Sequence, residues 1–165
     1  MKTINATKYK LKNVDTERIF EDEGWMLDDT QSSRPSLIRA VYESKQIHPH
    51  EEDMGIYRFA EWLPINKTLE GSCAPVTYKS KALAKELGLK NLYITFNGYF
   101  PEIGAHMSTC SFKETEAYSV CARLNGSHKG KVLVVASAGN TARAFAKVCS
   151  DNNIPLLLSV PEDNI

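Results

Sequence analysis

Hydrophobic and polar positions fall into a regular rhythm only from about residue 66 onward. Before that point the pattern is uneven. Lys8-Tyr9-Lys10-Leu11 alternates and predicts a short strand, while the charged run 16–23 predicts a loop or turn. Pro35, preceded by Ser32-Ser33, fits the first helical position of a short amphipathic segment carrying Leu37, Ile38, Val41 and Tyr42. Residues 55–65 are rich in aromatic and large apolar side chains, and they are expected to pack against the domain C-terminal to them rather than to form a site.

From Asn66 the pattern becomes that of an α/β domain. Residues 79–88 read as a helix with Ser80, Leu83, Ala84 and Leu87 on one face and Gly88 as its stop. Residues 92–96 are a short β-rich strand, and Asn97-Gly98 and Pro101 mark a turn. A loop over 102–109, with Gly104 and His106, leads to a helix that begins after Lys113. That helix carries Ala117, Val120, Cys121 and Leu124 at helical spacing and ends near Asn125-Gly126. Residues 131–136 hold a continuous apolar strand of the kind buried on both faces of a parallel sheet. Residues 141–151 follow as a helix with Ala142, Phe145, Ala146 and Cys149 facing inward, and 154–160 as another strand. Such alternation predicts a doubly wound parallel α/β sheet over residues 66–165, preceded by a lead segment over 1–65.

Composition narrows the function classes. A chain of 165 residues fits one domain with a core of ordinary size, and 42% hydrophobic with 24% charged residues describes a soluble globular protein. Lys plus Arg equals Asp plus Glu at 20 each, which lacks the basic footprint of a nucleic-acid binder. No apolar run is long enough to span a bilayer, and Met1-Lys2-Thr3-Ile4-Asn5 has no apolar stretch behind it, so the sequence reads as cytoplasmic. Cys73, Cys110, Cys121 and Cys149 are scattered without a CxxC pair, which argues against structural zinc and a disulfide framework. Sequons at Asn5, Asn66 and Asn125 read as chance without a secretion signal. His48-Pro49-His50-Glu51-Glu52-Asp53 has metal-ligand chemistry, but a solvated acidic loop broken by proline is the commoner meaning, and no metal site is assigned.

The candidate chemistry lies between Met107 and Thr141. Ser108-Thr109-Cys110-Ser111-Phe112-Lys113-Glu114 places a lysine at a helix start just after a loop. Ser137-Ala138-Gly139-Asn140-Thr141 follows the apolar run Val132-Leu133-Val134-Val135 and leads into the next helix. A lysine can supply a Schiff-base nitrogen, and a strand-to-helix turn of small residues presents N–H groups to an anion.

These two runs, with Glu70-Gly71-Ser72-Cys73-Ala74-Pro75-Val76-Thr77-Tyr78-Lys79-Ser80 and Tyr93-Ile94-Thr95-Phe96-Asn97-Gly98-Tyr99-Phe100-Pro101-Glu102, resemble the fold-type II pyridoxal-phosphate (PLP) enzymes. Within them the likeness is to the threonine synthase group, whose lysine motif is T-G-S-F-K-D-like and whose loop is S-x-G-N-T. The chain looks most like the archaeal cysteate synthases of that group. Cys110 stands where glycine is usual and Glu114 where aspartate is usual. The lead segment carries little of the likeness and lacks the cysteines that often open this region in the family.

The resemblance implies a role for each residue. Lys113 would hold PLP and then act as the base at the substrate α-carbon. Asn140 would hydrogen-bond the 3′-oxygen of the cofactor ring, although asparagine there also suits a helix N-cap. Ser137, Ala138, Gly139 and Thr141 would form a nest for the substrate α-carboxylate. Ser111 and Thr109 would line the site or cap the helix. Cys110 reads as a buried structural cysteine, with a reactive thiol as the other reading, and His106 could serve as an acid or as a ligand for phosphate or sulfite.

The implied reaction takes O-phosphoserine and sulfite to cysteate and phosphate, a step toward coenzyme M. The nearest alternative is threonine synthase acting on O-phosphohomoserine; a non-catalytic α/β module that binds a partner is the reading from another class. Relatives are commonly dimeric, so a homo-oligomer is implied, with no nucleic-acid or membrane partner. The family's later half brings a glycine-rich loop for the cofactor phosphate and a partner for the pyridine nitrogen. Neither is visible in this sequence, which therefore reads as the N-terminal portion of a larger enzyme.

Overall fold

A computed structural model of the protein describes residues 8–24, 26–51, 55–124 and 128–164. The sequons at Asn5 and Asn125, the expected helix end at Asn125-Gly126, and Glu52 and Asp53 lie outside the described residues.

The first elements are strands β1 (Tyr9–Asn13), β2 (Ile19–Phe20) and β3 (Ile38–Tyr42), which form an antiparallel sheet in the order β2-β1-β3. The period of two along β1 sends Leu11 and Asn13 inward. Lys10 and Lys12 then meet Glu21 at 2.7 Å and Glu17 at 2.8 Å. The segment after Pro35 is a strand rather than the expected helix. Its Ile38, Val41 and Tyr42 pair with Asn13, Lys10 and Tyr9, and β-branched and aromatic side chains suit a half-buried pleat better than a single helical turn. The run 16–23, expected as a loop, contains β2. Asp22 joins this sheet to the rest of the chain, accepting from the Tyr9 hydroxyl at 2.7 Å and from Arg123 Nε at 2.9 Å.

Residues Gly55–Trp62 form a 3-10 helical segment kinked at Phe59 that buries Tyr57 and Ala60. Strand β4 (Val76–Lys79), helix α1 (Ala82–Glu86) and strand β5 (Tyr93–Phe96) follow, with β4 and β5 antiparallel. Lys79 therefore ends a strand instead of opening a helix. Of the four positions expected on one helical face, Ser80 and Ala84 are buried and Leu83 and Leu87 are exposed. Gly88 does stop the helix, at φ +67°, in the left-handed region that glycine adopts without strain. Strands β6 (Tyr99–Phe100) and β7 (Ala105–His106) make a short hairpin.

The last part follows the expected alternation: helix α2 (Lys113–Ala122), strand β8 (Leu133–Ala136), helix α3 (Asn140–Asp151) and strand β9 (Leu156–Ser159). Strands β8 and β9 are parallel, with Leu133 opposite Leu156 and Ala136 opposite Ser159. The chain is thus α/β with several small sheets. Among the described residues the parallel pairing is confined to β8 and β9, and the expected doubly wound sheet is not formed there.

A shared core joins the 3-10 segment, α2, α3 and the parallel strand pair. Tyr57, Ala60, Ile65 and Leu69 pack with Ala117, Tyr118, Cys121 and Ala122 of α2 and with Ala144, Phe145, Val148 and Cys149 of α3. The α3 face matches expectation at Ala142, Phe145 and Cys149; Ala144 and Val148 are buried as well, while Ala146 is only half-buried. Small residues let the helices approach closely, and Cys121 and Cys149 lie 3.8 Å apart between sulfurs. Leu133, Val135 and Leu156 pack against this core from one side of the parallel pair. On the other side Val134 is 60% and Leu157 57% exposed, so the strand pair is buried on one face, not two.

Candidate active site

Lys113 is the first residue of α2. Its ammonium donates to Glu116 Oε2 at 2.6 Å and lies 5.4 Å from the centre of the exposed Phe112 ring. The two side chains of this ion pair are 34% and 44% exposed. Helix-surface pairs three or four residues apart contribute about 0.2–0.5 kcal/mol, so the amine can leave Glu116 at small cost.

Glu114 holds the loop before Lys113. It is completely buried, and its Oε2 accepts from the Thr109 amide at 2.9 Å and the Thr109 hydroxyl at 2.7 Å. Its Oε1 accepts from Cys73 Sγ at 3.1 Å, and Lys147 Nζ of α3 stands 4.0 Å away. Burial first, then the hydrogen bond to Glu114 and the charge of Glu114, push the Cys73 thiol up to about 12. It therefore remains a donor at neutral pH. Ser111 accepts the Lys113 amide at 3.3 Å, and its carbonyl accepts the Glu114 amide at 3.0 Å, so Ser111 and Thr109 both serve the helix start. In the sequence Glu114 is marked only as standing where aspartate is usual, and Cys73 is given no role. The available signal was Ser111-x-x-Glu114, a capping-box spacing whose glutamate here reaches past Ser111 to Thr109.

Cys110 departs from expectation, because it is exposed and not buried. Its φ is +53°, a left-handed conformation that L side chains disfavour by about 1–2 kcal/mol. That backbone accounts for the glycine usual at this position in the resembled group. Cys110→Gly is expected to stabilise the fold by up to about 1 kcal/mol, seen as a raised urea midpoint; a lowered midpoint would contradict the strain. A second expectation concerns all four thiols. With Cys73, Cys121 and Cys149 buried, Ellman's reagent should meet one fast-reacting thiol per native chain, lost in Cys110→Ser. Two or more fast thiols would refute the packing described.

The turn 137–141 gathers the other expected residues. The Ser137 amide donates to Ser159 O at 3.0 Å, which fixes the turn to the end of β9. The Gly139 amide donates to Ser137 Oγ at 3.3 Å, and a Cβ added at Gly139 would meet nothing within 4 Å. Ala138, Gly139 and Asn140 are exposed and Thr141 is half-buried. Gly139 caps α3, so Asn140 is the first helical residue instead of the N-cap. Ser137, Gly139 and Asn140 thus share one open turn. No hydrogen bond among the described residues joins Lys113 to it.

His106 is exposed on β7, edge-on to Tyr99 at 6.3 Å. With Arg58, Ser72 and Cys73 it lines a cavity of about 510 Å³. His48 and His50 each stand 3.8 Å from Glu61. Among the described residues no group of three or more His, Cys, Asp or Glu is placed to hold a metal, and no helix is long and apolar enough to cross a membrane.

No family model matches the chain, and no solved structure does. Curated relatives do. A cysteate synthase from Methanocella paludicola is 51% identical over 125 residues, 76% of this chain and 29% of the relative. One from Methanococcoides burtonii is 52% identical over 130 residues, 78% of this chain and 31% of the relative. One from Methanosarcina barkeri is 42% identical over 154 residues, 93% of this chain and 36% of the relative. The chain is therefore similar to the cysteate synthases over most of its own length and spans about a third of theirs, as an N-terminal portion of such a protein would.

Proposed function

We propose that this chain is the lysine-bearing part of a cytoplasmic, PLP-dependent β-replacement enzyme of the cysteate synthase kind. It would take O-phosphoserine and sulfite to cysteate and phosphate, toward coenzyme M. The observation that carries the reading is the 42–52% identity to cysteate synthases over stretches of 125–154 residues. Residues 66–165 would form the first part of the catalytic domain, with 1–65 as its lead segment and a homo-oligomer as the working assembly.

The residues fit the ring end of the cofactor. Open space stands over Gly139, beside an exposed Asn140, and the half-exposed Lys113 is held by a surface ion pair with Glu116 and a contact with the exposed Phe112 ring. PLP, when bound, supplies an electron sink for the substrate α-carbon. The chain's own groups do the rest. Lys113 would carry the cofactor and, once displaced by substrate, take the proton from the α-carbon. Asn140 would face the 3′-oxygen of the ring. Ala138, Gly139 and Thr141 would orient the substrate carboxylate, helped by the positive end of the twelve-residue α3. Ser137 would contribute its hydroxyl, since its amide is already given to Ser159.

The test is a pair of assays on the chain with PLP, alone and together with a polypeptide carrying the rest of a relative's length. Cysteate formed from O-phosphoserine and sulfite supports the reading. Threonine released from O-phosphohomoserine would replace it with the threonine synthase reading, and no product in either arrangement would sink both.

A further inference from the structure

We infer that Glu114 is a positioning residue, whose buried carboxylate ties Thr109 to Cys73 and thereby fixes how the start of α2 presents Lys113. This rests on the reading of Lys113 as the cofactor-bearing lysine. A carboxylate with no exposed surface is costly unless its oxygens are satisfied. Here three donors satisfy them, the Thr109 amide and hydroxyl and the Cys73 thiol. Those donors come from two separate loops, so the carboxylate joins the 70–75 segment to the loop before α2.

Lys147, at 4.0 Å, brings α3 to the same point and is itself tied to Asp151 at 2.7 Å. Glu114 and Lys113 are adjacent at the start of one helix. Turning Glu114 would therefore swing the lysine, and small misplacements of a reacting group cost up to about a hundredfold in rate. The exposed Glu116 contact could not hold that direction alone.

Two variants test this, Glu114→Ala and the milder Thr109→Val, which removes one donor and keeps the amide. PLP trapped with borohydride is mapped by peptide, and amide exchange at Thr109 is followed alongside. The expected result is a ten- to hundredfold fall in trapping at Lys113 in Glu114→Ala and a smaller fall in Thr109→Val. Trapping at Lys79 should stay constant, and the Thr109 amide should exchange faster in Glu114→Ala. A purely structural role would lower protection along the chain without singling out Lys113. Unchanged Lys113 trapping in both variants overturns the inference. If Glu114→Ala does not fold, Thr109→Val decides, and unchanged trapping there overturns it equally. No Lys113 adduct in the unaltered chain overturns the underlying reading and this role with it. A Lys113 adduct in the unaltered chain that both variants retain at full yield overturns the positioning alone.

Discussion

On the proposed cysteate synthase reading, converting Lys113 to alanine should lower turnover of O-phosphoserine with sulfite by on the order of a thousandfold or more, the scale of loss when a covalent catalytic group is removed. The expectation follows from the placement of the amine. It sits on the first residue of α2, after a loop anchored by the buried Glu114, and it pairs with the exposed Glu116 carboxylate. Losing that ion pair costs stability by less than about 1 kcal/mol, so the variant should unfold near the wild-type midpoint. Loss of turnover with stability kept separates chemistry from folding. Lys79→Ala is the control: Lys79 bonds Asn91 at 2.8 Å on the β4–β5 ribbon, and its replacement should leave turnover unchanged. If Lys113→Ala keeps wild-type turnover, the catalytic lysine lies elsewhere.

Phe145→Ala should remove about 3–5 kcal/mol of stability. Phe145 is 5% exposed and shares the core with Tyr57 from the 3-10 segment and with Ala117, Tyr118 and Cys121 from α2. Its neighbours are mostly small or held in place. Tyr57 donates to Tyr118 O at 3.1 Å, and the Tyr57 and Tyr118 rings meet edge to face at 6.3 Å. Such a site collapses poorly around a deleted ring, which puts the cost in the upper part of the usual range. Against a total of about 5–15 kcal/mol the loss is large, and it should lower Tm by on the order of 10 °C. Guanidinium unfolding followed by circular dichroism measures it. A loss under about 1 kcal/mol would mean that α3 is not packed on this core.

The later part of the chain was the more legible in sequence, for a physical reason. Strands β8 and β9 and helix α3 carry their own periodicity, since Val132-Leu133-Val134-Val135 is uninterrupted and Ala142, Phe145 and Cys149 recur at helical spacing. Elements defined by partners distant in sequence were harder. Ile38–Tyr42 becomes a strand because β1 pairs with it, and nothing within five residues announces that. Lys79 ends a strand because β5 lies alongside β4. The apolar run of β8 implied burial on both faces, yet Val134 is open, because an apolar run records what a strand can bury and not what covers it.

The lysine and the 137–141 turn are proposed from their motifs, whereas the clamp on the lysine loop is not visible in them. Glu114 and Cys73 are 41 residues apart, and a buried carboxylate looks like any surface glutamate until its neighbours are placed. Cys110 shows the opposite case. Its exposure was not foreseen, but its left-handed backbone explains why glycine is the usual residue in the resembled group.

Whether Lys113 is the cofactor-bearing lysine is decided by borohydride reduction of the chain mixed with PLP, followed by peptide mapping. One dominant reduced adduct is expected, on Lys113, and replacement of that residue should block it. Adducts spread evenly over exposed lysines, or none at all, would contradict the assignment.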